Sequence, residues 1–406
     1  MADKSHLPEK GVSSAAAAGA RRGMLPVLLT FLASCTTPAR TPHSAAEQLA
    51  ATVPGYEGIR FHADMAPTEL AAHRESFLPQ SGQARRASWL ALSAGGAGGA
   101  FGAGVLTGWS ERGDRPDFDL VTGVSAGALL APFAFAGPAA DRELAGLFTA
   151  ASVARLNRSR SLLAGIFGQG ALPAREIRAL IDAHLIDARI ERIAARHRAG
   201  ARLLIVTTNV DAQRSTVWNI GAIAASGRPN RLRLIGDILE ASASIPAIFP
   251  PVRIAVAAGG KTFEELHADG GAMRQVYLLP DALPSLAELG GPRPDIHVIV
   301  DAELAPRFRV IPQQSIRIAE RALESLEKAN ATRVIAHLAD FARLNRASFR
   351  LNYIDRAIPI DRRIPFDPAY MQAALHLGRS RAGPAPGRSA RRWGACFLRQ
   401  SEKARP

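Results

Sequence analysis

Short, almost continuously apolar runs punctuate the chain at residues 88–93, 118–122, 202–208 and 296–300, each closed by glycine, proline or polar residues. Such runs have the length and bounding of strands covered on both faces, as parallel strands are. Between them the apolar spacing changes to the helical period. Residues 100–111 and 126–135 read as helices directly following the first two strands, and 143–197 as amphipathic helices broken near 165–170. Within that break, glycine-flanked Leu162, Leu163, Ile166 and Phe167 suit either core packing or a mobile apolar lid. Residues 316–344 predict one long outer helix of alternating charge, and 353–368 a final strand and turn. Strands alternating with helices in this way predict an α/β fold around a parallel sheet.

One apolar run is of a different kind. Residues 24–33 follow Arg21 and Arg22 and end in Leu32, Ala33, Ser34 and Cys35. About ten apolar residues are too few for a membrane-crossing helix, which takes roughly 20, but they suit the apolar core of a signal peptide. Small residues before a cysteine are similar to a bacterial lipobox, in which Cys35 becomes the acylated first residue after cleavage. The expectation is an exported lipoprotein, held in the periplasm or outer membrane by its acyl chains. A buried cysteine behind an apolar segment is the alternative. The long stretch ahead of Arg21 suggests a start codon further in. Cys396 is the second of only two cysteines, so neither a disulfide framework nor a cysteine metal site is expected.

With 406 residues, 47% of them hydrophobic and 21% charged, the chain can bury a large core, and one main catalytic domain is expected. A net charge of +14 raises the question of nucleic acid. Residues 379–406 hold eight basic residues against Glu402, half of the excess, in a stretch rich in glycine and proline. Charge so placed makes a solvated, disordered tail or a contact for anionic lipid, and no nucleic-acid partner is expected.

Chemistry concentrates where strands turn into helices. The first strand breaks into Ala94, Gly95, Gly96, Ala97, Gly98 and Gly99, a turn that brings backbone amides to a helix N-terminus. No lysine follows the last glycine and the dinucleotide spacing does not fit, which argues against nucleotide binding. Gly102 and Gly104 suit packing of the following helix on the sheet. The second strand runs into Gly123, Val124, Ser125, Ala126 and Gly127. GxSxG between strand and helix is the setting of a nucleophilic serine, because side chains two residues either side would clash in the strained turn. The amide of Ala126, with those of Gly95 and Gly96, would hold an oxyanion. The serine needs a base, and His267 and Asp269 stand together just before Gly270 and Gly271; the aspartate is the better candidate.

The glycine turn within 92–106, GVSAG at 123–127 and DGG at 269–271 resemble, in order, the motifs of patatin-like phospholipases; 207–211 and 241–251 are similar as well. The resemblance spans about half the chain. It implies a three-layer α/β/α sandwich with a mostly parallel central sheet, and a Ser125/Asp269 dyad working without histidine. It also implies a lipid substrate at a membrane and no cofactor or metal. His267 is then a structural neighbour. Two departures stand out: Gly98 lies where the family usually carries Arg or Lys, and Ala94 replaces the first glycine of its triplet.

The expected organisation is a lipoprotein signal over 1–34, a tether and N-terminal extension over 35–85, a catalytic domain over 86–378 and a basic tail over 379–406. The expected function is serine lipid acyl hydrolysis, of phospholipase A or lysophospholipase type. Its rivals are a Ser/His/Asp carboxylesterase or thioesterase acting on soluble esters, and a catalytically idle surface lipoprotein. Oligomeric state is left open.

Overall fold

The structure is a computed structural model that describes residues 40–80, 86–147, 174–283, 285–286, 293–360 and 366–382. The signal segment with Cys35, the four lid candidates and the tail beyond Ala382 with Cys396 lie outside the described residues. In chain order the elements are α1 (Ala45–Ala50), β1 (Arg60–His62), α2 (Pro67–Phe77), β2 (Ser88–Leu92), α3 (Gly99–Glu111), β3 (Leu120–Val124), α4 (Ala126–Ala136) and α5 (Asp141–Leu147). There follow α6 (Ala174–His184), α7 (Asp187–Arg198), β4 (Arg202–Asn209), β5 (Arg214–Asn219), α8 (Ile220–Ala225), α9 (Arg231–Ser242), β6 (Val252–Ala258) and β7 (Lys261–Asp269). The last are β8 (Asp295–Val300), α10 (Ser315–Leu344), β9 (Ser348–Tyr353) and α11 (Pro368–Ser380). Among the described residues, no helix is long and apolar enough to cross a membrane.

The strands form one sheet in the order β1-β5-β4-β3-β2-β8-β9, with the β6–β7 hairpin joined to β4 through β7. The centre is parallel: β4, β3, β2, β8 and β9 all run the same way. Side chains alternate between its faces, as the two-residue period of a strand requires. Leu90, Leu92, Val121, Leu203 and Ile205 enter a core shared with α3, α4, α7, α9 and α11. Trp89, Ala91, Leu120, Leu204 and Val206 enter the opposite core with α2 and the C-terminal half of α10. The fold is therefore the expected α/β/α sandwich with a mostly parallel central sheet. It begins well before Arg86, because Arg60–His62 pairs antiparallel with β5.

Three sequence expectations change in detail. The final strand is Ser348–Tyr353, paired with β8, rather than a strand within 353–368. The chain then continues into α11, which runs to Ser380. Gly104 presses against α11 rather than the sheet: a methyl on Gly104 would overlap the Leu375 carbonyl, and one on Gly378 the Phe101 carbonyl. Glycines on both helices thus let α11 lie backbone to backbone on α3. Replacing Gly378 with Ala forces these helices apart and is expected to cost roughly 1–3 kcal/mol in urea unfolding, as overpacking of a dense core does.

Candidate active site

β3 and β7 meet the same strand, β4, end to end. Val124, the last residue of β3, pairs with Val206, and the next position on β4, Thr207, pairs with Asp269, the last residue of β7. Ser125 leaves the sheet where Asp269 arrives. Its hydroxyl donates to Asp269 Oδ2 at 2.5 Å, and both residues are buried.

The serine turn is strained. Ser125 has φ 54° and ψ −119°, a backbone region that side-chain-bearing residues seldom occupy and that persists only where its surroundings impose it. A methyl on Gly123 would come within 2.5 Å of the Gly127 carbonyl oxygen, and one on Gly127 would overlap Leu92. The turn is pinned from below by Ser242, whose hydroxyl accepts the Ser125 N–H at 3.0 Å and donates to the Val206 carbonyl at 2.7 Å. Sequence reading did not single out Ser242; its only signal was its place in the similar stretch 241–251.

Asp269 is held as firmly. Its Oδ1 accepts the Gly271 amide at 2.7 Å, its own N–H reaches the Ser244 carbonyl, and its carbonyl accepts from Thr208 Oγ1. Burial pushes its carboxyl up from 3.8 to about 7, outweighing the hydrogen bonds from Ser125 and Gly271, with a further upward push from Glu327 across the cleft. Gly270 admits this turn because its Cα faces the Val206 carbonyl and Val124 Cγ1.

Gly95 and Gly96 line the same cavity as Ser125 and Asp269. The Gly127 amide is used by the Ser93 carbonyl and that of Gly98 by the Gly95 carbonyl. Among the described residues no acceptor is found for the amides of Gly95, Gly96 and Ala126. Ala126 opens α4 and Gly99 opens α3, so positive helix ends stand at the site.

With this geometry, residues 90–280 match the family model described as patatin-like phospholipase. These residues form a patatin-like phospholipase domain. The family is one of lipid acyl hydrolases. Among solved structures, VipD from Legionella pneumophila is 13% identical with a TM-score of 0.39, the match covering 79% of this chain and 70% of that one. No curated protein sequence matches the chain.

In the patatin-like domain, His267 stands two residues before Asp269 but serves another network. Its Nδ1 meets Thr207 Oγ1 and its Nε2 meets Glu265 Oε2, each at 2.9 Å, while Trp218 Nε1 donates to Thr207. Burial holds His267 below the ordinary histidine range. The neutral ring protonated at Nε2 satisfies all these bonds: it donates to Glu265 and accepts from Thr207. Glu265 also takes Arg60 and Gln48, tying α1 and β1 to β7. His376 is exposed on α11.

The cavity around Ser125 has a volume of about 450 Å³. Its outer wall carries Arg307, Glu324, Glu327 and Lys328, while a second, apolar cleft lined by Leu129, Phe133, Leu180 and Met371 adjoins it at Gly96 and Phe366. A second missed residue, Asp301, lies behind the glycine turn. It is buried, and methyls on Gly95 or Gly98 would overlap it. Burial pushes its carboxyl well above the ordinary range.

His267→Ala removes a ring packed on Trp218 and strands Glu265 and Thr207. It is expected to lower stability by roughly 2–4 kcal/mol while leaving turnover per folded molecule unchanged, read by urea unfolding beside ester hydrolysis.

Proposed function

We propose that the patatin-like domain hydrolyses lipid acyl esters through Ser125 as nucleophile and Asp269 as base, acting as a phospholipase A or lysophospholipase. The observation that carries this reading is the 2.5 Å hydrogen bond from Ser125 to a buried carboxyl pushed up to about 7. An ordinary aspartate near 3.9 is a poor acceptor for a serine proton; one poised near neutrality can take it and return it. Ser125 attacks the acyl carbonyl as Asp269 takes its proton. The amides of Gly95, Gly96 and Ala126 hold the oxyanion, and Asp269 then protonates the leaving alcohol. Water hydrolyses the acyl enzyme with Asp269 again as base. The adjoining apolar cleft favours an acyl chain over a short polar ester, and both nitrogens of His267 are engaged elsewhere, which weighs against a Ser/His/Asp esterase.

Ser125→Ala and Asp269→Asn are each expected to lower kcat by about a thousandfold or more, with fluorophosphonate labelling lost in the first. Because the base must be ionised, kcat/KM is expected to fall about tenfold per pH unit on the acid side of pH 7 and to level above it. Equal labelling of Ser125→Ala, or a pH-independent rate, overturns the assignment.

We also propose that Cys35 is the lipidated N-terminus of the mature, exported protein, from the residues Leu32, Ala33 and Ser34 before it. Mass analysis of native protein should find a diacylglyceryl-modified Cys35; an unprocessed Met1 sinks the proposal.

A further inference from the structure

α10 is 30 residues long, about 45 Å, yet only its second half is seated on the sheet, through Ala331, Ile335, Leu338 and Phe341. Its first half stands beside the Ser125 cavity and leaves Ile318, Leu323 and Leu326 exposed. The loop before it lies along this half: Lys328 Nζ donates to the Ala305 carbonyl at 3.1 Å, and Arg321 to that of Arg307. The loop carries Phe308, 92% exposed, and Val310, 80% exposed. Scattered apolar residues on a surface are ordinary, but five large ones on one loop–helix unit mark a contact surface.

The chemistry of the occupant is legible from what surrounds them. Phe308 and Val310 alternate with Arg307 and Arg309 in a loop without acidic residues over 305–314, and the first half of α10 adds Arg317, Arg321 and Lys328 against Glu320, Glu324 and Glu327. Arg317–Glu320 joins two largely exposed side chains, whereas Arg321–Glu324 and Arg307–Glu303 are more sheltered pairs, so the surface keeps a modest net positive charge. Apolar side chains interleaved with arginine fit the boundary of an anionic bilayer, where rings and aliphatic groups enter the acyl region and guanidinium groups stay among phosphates. A second copy would set these arginines against each other. Arg307 and Leu323 also line the Ser125 cavity, so the surface is continuous with its mouth.

We propose that the loop 305–314 and the first half of α10 form a docking surface for anionic lipid membranes, delivering a lipid from the bilayer into the Ser125 cavity. The inference rests on the lipid acyl hydrolase reading, but its test does not depend on turnover. The full chain bearing Cys35→Ser, to exclude acyl anchoring, is floated with vesicles of phosphatidylcholine alone and of phosphatidylcholine with phosphatidylglycerol. Flotation is expected with the anionic vesicles and to weaken with salt. In Phe308→Ser/Val310→Ser/Leu326→Ser, affinity is expected to fall about tenfold or more, with hydrolysis of a water-soluble ester unchanged. Wild-type chain that stays unbound, or a triple variant that floats equally, overturns the docking surface. So does a wild-type dimer that the triple variant converts to monomer, which makes the face an interface between copies. Loss of soluble-ester hydrolysis in Ser125→Ala with flotation intact leaves both readings standing, whereas soluble-ester hydrolysis that survives Ser125→Ala removes the catalytic one alone.

Discussion

At the carboxyl ends of β2, β3, β4 and β8, neighbouring turns meet at glycines so closely that none has room for a methyl. Gly127 faces Leu92, Gly270 faces Val206, and Gly95 and Gly98 face Asp301. A protein interior is packed as densely as an organic crystal, so one methyl at any of these contacts must displace a turn. The turn after β3 brings the serine oxygen to the carboxyl at the end of β7, and the turn after β2 lines the same cavity with Gly95 and Gly96. Such backbone contacts have no rotamers to relax into, which keeps Ser125 in its strained conformation.

The arrangement has an energetic consequence. A carboxyl whose folded value is raised from 3.8 to about 7 is most favourable to folding when protonated. Its contribution to stability is therefore fully present below pH 4 and declines as the pH rises through 7, by a total on the order of a few kcal/mol. In the proposed mechanism this is what makes Asp269 a base of useful strength, at the expense of a buried charge the fold would not otherwise choose. The neighbouring Glu265 is the reverse case. Burial opposes its charge too, but hydrogen bonds from His267 and Arg60 hold it down at about 2, so it stays ionised and paired. One strand thus carries two buried acids, four residues apart, with opposite environments.

What could be read from residues in order was what local backbone chemistry dictates: the strand-to-helix turn at Ser125, the glycine turn, the short aspartate turn at Asp269 and the doubly covered strands. What could not be read depends on distant partners. Ser242 is an unremarkable helix residue until its hydroxyl is found bridging the Ser125 amide and the Val206 carbonyl. The distance between Ser125 and Asp269 follows from β3 and β7 sharing β4, a register spanning many intervening residues and set by no local pattern. β9 was misplaced because its residues, only partly buried at the sheet edge, lack the continuous apolar run that marks β4 and β8. The placing of α11 on α3 was equally hidden, because it depends on two glycines far apart in the chain, Gly104 and Gly378, whose contact no local pattern announces.

The missing basic residue at position 98 follows from the same contacts. Because a methyl on Gly98 would overlap the Asp301 carbonyl, an arginine or lysine could stand there only if the loop after β8 moved away. That loop is fixed: the Asp301 N–H donates to Ser93 Oγ at 2.8 Å, and the Ser93 hydroxyl donates to the Ala94 carbonyl at 2.6 Å, at the entry to the glycine turn. The Asp301 carboxyl, buried with no cation against it among the described residues, is favoured as the neutral acid and asks for no counter-charge. In the proposed mechanism, positive potential at the oxyanion comes instead from the amides of Gly95, Gly96 and Ala126 and from the two helix ends that follow them. A single substitution that placed a cation at Gly98 would therefore displace the glycine turn that carries Gly95 and Gly96.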